Sequence, residues 1–200
     1  MGHLYYLNHR MSKRKRPGLL SLFLCCCLLF GIDVIGQVST AGDNLALTVA
    51  STVLIGTNSP TISMSLQPVT AAGAKLSSVS NSSLYIKISS VVPSGTARKV
   101  TVKLLSGTIP AGTQITLQPA SCTTTNSAGA LGTVVSSPVV VSSVDQNLIT
   151  NIGTCYTGTG SSDGYNMTFN WGIVNPSTAY GQVVSSTYNP IVVFTITAPE

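Results

Sequence analysis

The chain has 200 residues, 8% of them charged and 44% hydrophobic, with a formal net charge of +5. That charge is concentrated in Arg10, Lys13, Arg14, Lys15 and Arg16; over residues 37–200, Lys75, Lys87, Arg98, Lys99 and Lys103 nearly balance Asp43, Asp145, Asp163 and Glu200. The near neutrality excludes the clustered basic surface that displaces counterions from nucleic acid. His3 and His9 are the two histidines, so residues 37–200 hold neither a Ser-His or Cys-His relay nor an ordinary zinc site.

In chain order, the basic cluster precedes an apolar run, Gly18 to Ile32, which includes Cys25, Cys26 and Cys27. Its core of about 14 residues falls short of the roughly 20 that a membrane-crossing helix needs. Basic residues followed by a short apolar core have the order of an export signal. Residues 1–36 are therefore read as a signal peptide cleaved after Gly36, with Met1 or Met11 as the start. The remainder, 37–200, is expected outside the cytoplasm, secreted or at the periplasm or cell surface. Its contact with membrane is then limited to the signal segment before cleavage.

Residues 37–200 are rich in Ser, Thr, Val, Gly, Ile and Leu, residue types that suit strands better than helices. Apolar positions alternate at Leu45, Leu47 and Val49; at Ile62, Met64 and Leu66; at Leu84, Ile86 and Ile88; and at Val100, Val102 and Leu104. Each set predicts a strand with one buried face. Ile115 with Leu117 and Val139 to Val141 predict shorter strands. The spacing from Val144 to Ile152 allows a helical turn. Tyr165, Met167, Phe169 and Trp171 predict a strand with a core face, and Pro190 to Ala198 predicts a closing strand with Val192, Phe194 and Ile196 on one side. Turn signals fall between these runs at Asn58-Ser59-Pro60, Ala72-Gly73, Pro93-Ser94-Gly95, Pro110-Ala111-Gly112, Ala128-Gly129 and Gly158 to Gly164. The fold class expected is all-β, an antiparallel β-sandwich in one domain over residues 37–200. Alternation divides Arg98, Lys99 and Lys103 between two faces, and they read as a solvated strand.

Cys122 and Cys155 are the two cysteines beyond the apolar run. An even count in an exported chain reads as one disulfide. The carboxylates are scattered singly, unlike a glycosidase pair. The domain is therefore expected to be no enzyme and to need no cofactor or metal. Asp163 lies in a turn sequence, and one carboxylate is too few for calcium. Seven aromatics fall between Tyr156 and Phe194. Phe169 and Trp171 read as core, and Tyr156, Tyr180 and Tyr188, beside Gly, Ser or Asn, as candidates for binding a glycan or other ligand.

The stretch Tyr180 to Tyr188, Tyr-Gly-Gln-Val-Val-Ser-Ser-Thr-Tyr, followed by Ile191 to Thr197, resembles the end of secreted bacterial pilin-like domains, the group that includes spore-coat-U-type and fimbrial subunits. Those domains usually carry a cysteine near the mature N-terminus, whereas here the first is Cys122. The resemblance implies an immunoglobulin-like sandwich serving as a structural or adhesive subunit of a surface or appendage. It also implies like subunits or surface glycans as partners, and marks Leu45, Leu47 and Val49 as candidates for strand exchange, an N-terminal strand completing a neighbour's sheet. The alternative is an extracellular glycan- or ligand-binding module.

Overall fold

The computed structural model describes residues 45–59 and 61–199. The signal segment and its cleavage point lie outside them. Two compact units divide the chain, Met1–Leu47 and Thr48–Glu200, and the sheets belong to the second. Eleven strands follow one another in its described residues: β1 (Thr52–Thr57), β2 (Val79–Val91), β3 (Arg98–Ser106), β4 (Thr113–Pro119), β5 (Ala128–Gly129), β6 (Thr133–Val134), β7 (Val139–Val140), β8 (Gln146–Ile152), β9 (Cys155–Tyr156), β10 (Tyr165–Ile173) and β11 (Ile191–Ile196). A four-residue helix, α1 (Pro176–Ala179), precedes a turn of 3-10 helix at Tyr180–Gln182. Asn175 caps α1, its side chain accepting from the Ser177 amide at 3.0 Å, with Pro176 in the first turn; proline suits that position because its missing N–H would have no helical partner there.

All pairings are antiparallel. One sheet runs β5-β9-β2-β10-β4-β7 with β1 joined to β2; the other runs β11-β3-β8-β6. The 13-residue strand β2 organises the larger sheet. Its first half, Val79 to Ile86, pairs with β10, and its second half pairs with β1 on one side and β9 on the other. Gly164, at φ 101°, turns the chain into β10 against the Ile86 backbone, where a Cβ would collide. Only glycine enters that conformation without strain.

The alternation expected from the sequence generates the core. Leu84, Ile86 and Ile88 from β2, Ile115 and Leu117 from β4, and Tyr165, Met167 and Phe169 from β10 form one apolar cluster with residues of the second sheet. That sheet contributes Val100 and Val102 from β3 and Leu148, Ile149 and Ile152 from β8. Two sheets buried face to face make a β-sandwich, and each fully buried side chain contributes roughly 1.5–3 kcal/mol relative to exposure.

Several expectations are corrected. Val144 to Ile152 is not helical: Val144 is exposed and β8 occupies Gln146–Ile152. The β3–β8 register shifts twice and Asn151 has φ 58°; a strand irregular in this way buries adjacent Leu148 and Ile149 together, which mimics helical spacing. Ala128-Gly129 is strand β5 rather than a turn. Residues 61–66 alternate exposed and half-buried but join no sheet, and residues 45–49 join no sheet and are exposed throughout, so the buried face expected of Leu45, Leu47 and Val49 is absent. β1, which the sequence reading missed, interrupts them: Gly56 and the exposed Leu54 blur its inward stripe of Val53 and Ile55.

Candidate functional site: the seam between β1 and β11

Among the described residues, most sheet margins end on strands of two residues, β5, β6 and β7. The exceptions are β1, paired only with β2, and β11, paired only with β3, each six residues long. They belong to different sheets and approach each other at a few positions. An unpaired strand edge carries a row of free backbone donors and acceptors. In β11 the Thr197 amide donates to Lys99 O at 3.0 Å. Antiparallel alternation then turns the backbone N–H and C=O of Ile196 and Phe194 away from β3, toward the open side.

Arg98 closes one end of this seam. It stands at the end of the inward stripe of β3 and is 5% exposed, so the expected solvated position is wrong for it. Its Nη1 donates to Thr197 O at 2.9 Å and its Nη2 to Ser51 Oγ at 3.2 Å, while Ser51 Oγ donates to Val91 O at 3.0 Å. One guanidinium thus ties the start of β1 to the end of β11. Its Nε has no hydrogen-bond partner, and burying that charge requires good geometry in the bonds that remain. Lys103 fits the expected solvated face, pairing with Asp145 at 3.2 Å.

An apolar groove of about 270 Å³ opens at the other end. Leu84, Ile115, Phe169 and Trp171 from the larger sheet line it, facing Val192 and Phe194 of β11. Trp171 is fixed by donating Nε1–H to Thr113 Oγ1 at 3.0 Å. The remaining wall is Ile62 and Met64, half-buried residues of the segment that follows β1. This segment runs beside the first half of β2, where Asn81 Nδ2 reaches Ser63 O at 3.4 Å. Alternation in the sequence located these side chains, but the missing ladder was not legible.

Leu45, Leu47 and Val49 are 80%, 81% and 83% exposed. Three alternating large aliphatics left in water are unusual for a segment of this length, since exposed apolar groups gather where something covers them.

The three candidate tyrosines do not form a common site. Tyr156 is exposed on β9. The Tyr180 hydroxyl accepts from the Leu76 amide at 3.3 Å. Tyr188 lines the groove and donates its hydroxyl to Val184 O at 3.2 Å. Phe169 and Tyr165 are buried and Trp171 is half-buried, and the Tyr165 hydroxyl donates to Leu131 O.

Cys122, half-buried, and Cys155, buried, are free thiols, so the expected disulfide is not formed in this structure. Burial, and secondarily the neighbouring Cys122, pushes the Cys155 thiol above its ordinary range, because a thiolate there would be poorly solvated and would meet a second one. Asp163 is buried as a turn organiser: its Oδ2 accepts from the Gly160 amide at 2.7 Å, and Asn126 Nδ2 lies 3.3 Å away. Lys87 Nζ donates to Thr159 O at 3.0 Å in the same loop. No group of three or more metal-ligating side chains occurs among the described residues, and no helix among them is long and apolar enough to cross a membrane.

Fold and site together define an antiparallel two-sheet β domain with one open seam and an exposed apolar segment ahead of it. Searches of family models, curated proteins and solved structures found no match to the chain.

Proposed function

We propose that the chain is a non-enzymatic, exported structural or adhesive β-sandwich, immunoglobulin-like in plan, that associates with like copies through its N-terminal segment. The observation that carries this reading is the exposure of Leu45, Leu47 and Val49 in a strand-like alternation that no sheet of the same chain receives. Such a segment is a liability in an isolated monomer, since exposed apolar strands seek sheet edges. Strand addition turns that liability into an interface, with main-chain bonds for affinity and alternate side chains for specificity. The near absence of charge over residues 37–200 also favours packing between like copies, which meet no large electrostatic repulsion. The basic and apolar opening of the chain supports export.

Sedimentation of the processed chain across a concentration series tests this. Oligomers that disappear on deletion of residues 37–49 support the proposal. A chain that stays monomeric at every concentration overturns it.

A further inference from the structure

Independently of how copies associate, we infer that the apolar groove is a ligand site, and that it takes the aliphatic tail of a small amphiphile whose head is uncharged.

The walls come from three elements that meet without closing. Phe169 and Trp171 of β10 face Val192 and Phe194 of β11 across the gap between the sheets, and Ile62 and Met64 form the third side. A space of about 270 Å³ remains. An apolar cavity of roughly 150 Å³ holds benzene, and pockets for drug-sized molecules begin near roughly 300 Å³. The groove therefore suits one hydrocarbon chain of moderate length and is too small for a bulky polycyclic ligand.

The third wall can adapt to the chain it meets. Residues 61–66 join no ladder, and the bond from Asn81 Nδ2 to Ser63 O is long, at 3.4 Å. An outward shift of that wall breaks no strand pairing. Met64 adds an unbranched, polarizable side chain of the kind that fits irregular shapes.

The polar atoms around the groove say what the ligand lacks. Trp171 Nε1–H donates to Thr113 Oγ1 at 3.0 Å, the Ser59 hydroxyl to Thr61 O at 3.0 Å and the Tyr188 hydroxyl to Val184 O at 3.2 Å. A polar group pushed between these walls loses its water and finds these donors already engaged. No charged side chain lines the groove. A carboxylate or ammonium there sheds part of its hydration and meets no counter-charge. Thr57, an exposed lining residue whose hydroxyl makes no hydrogen bond among the described residues, offers a partner to a neutral hydroxyl or ester head.

The test uses Trp171, the only tryptophan in the chain, whose emission reports the groove alone. Titrating the processed chain with 1-decanol, below its solubility limit, is expected to shift that emission saturably at one equivalent. Calorimetry at several temperatures gives the negative heat-capacity change of apolar burial. Decanoate at pH 8, with the same number of carbons and a charged head, binds about tenfold more weakly. Met64→Lys places an ammonium on the groove wall and reverses the order, so that decanoate binds about tenfold tighter than decanol. Val192→Phe fills the space and weakens decanol binding by about tenfold, while Ile191→Ser, at an exposed neighbour outside the groove, leaves it unchanged.

The inference fails if decanol leaves Trp171 emission unchanged, or if uptake never saturates, which makes it adventitious partition onto exposed apolar residues. It fails equally if decanoate binds the parent as tightly as decanol, if folded Val192→Phe binds like the parent, or if folded Met64→Lys keeps the parent's order. Urea unfolding shows which variants are folded, and where one is not, the other decides. None of these readouts depends on self-association, which sedimentation with and without decanol follows separately.

Discussion

The guanidinium of Arg98 donates to the carbonyl oxygen of Thr197 at 2.9 Å, across 99 residues of sequence, and so joins the start of β3 to the chain leaving β11. Through Ser51 Oγ, at 3.2 Å, the same side chain reaches the start of β1. Arg98→Ala removes both bonds and leaves Thr197 O and Ser51 without that donor. The expected cost is about 2–4 kcal/mol, in the range found when one partner of a buried polar network is deleted. Arg98→Lys recovers only part of it, because an ammonium cannot reproduce the planar fork. Urea unfolding of the two variants beside the parent checks both values.

Asp163→Asn tests the loop that precedes β10. The charged acceptor facing the Gly160 amide at 2.7 Å becomes a neutral one, and an expected loss of about 1–2 kcal/mol follows from the weaker bond. Adding calcium leaves the unfolding midpoint of the parent unchanged, since a single carboxylate already engaged by Gly160 and Asn126 makes a poor cation site. A calcium-dependent rise in midpoint contradicts this account of the loop.

The two thiols differ in surroundings and therefore in reactivity. Cys122 is half-buried, while Cys155 is buried with its thiol pushed above the usual range. Iodoacetamide on native protein labels Cys122 first, with Cys155 reacting on the timescale of local opening. Failure of both to react until a reductant is added shows that they have paired.

The raised thiol of Cys155 also sets a sign for pH dependence. A folded-state value above the thiol's ordinary one means that the native state holds this proton more tightly than the unfolded chain does. That contribution is complete below about pH 9 and is lost as pH rises through the folded value. The Tyr165 phenol, raised first by burial, adds in the same direction. Stability measured from pH 8 to pH 11 falls, and Cys155→Ser shows a shallower fall.

The sandwich was legible because alternation is a direct record of one buried face. β2, β3, β4, β10 and β11 bury the residues that the sequence selected, from Leu84 to Ile196. What failed was of two kinds. β8 and β1 depart from strict alternation, one by its irregular pairing and the other by the exposed Leu54 and the glycine at position 56. Elsewhere the pattern was right and the pairing absent, since side-chain periodicity says which face is apolar but not whether a neighbouring strand exists. Residues 61–66 are the instance; residues 45–49 have neither a ladder nor a buried face.

Arg98 was missed for a related reason. Alternation divided Arg98, Lys99 and Lys103 between two faces and all three were read as solvated, because a charge on an inner face is stable only where carbonyl and hydroxyl partners converge, and Ser51 and Thr197 are remote in sequence. Tyr156, Tyr180 and Tyr188 show the converse. They looked alike because each stands beside small or polar residues, and the fold sends them to three different surroundings.

The most direct test is hydrogen exchange on the processed chain, followed residue by residue as concentration rises. The account predicts that amides in residues 45–49 become protected at the concentration where oligomers form. If residues 45–49 stay in fast exchange while oligomers accumulate, copies of this chain do not join through their N-terminal segment.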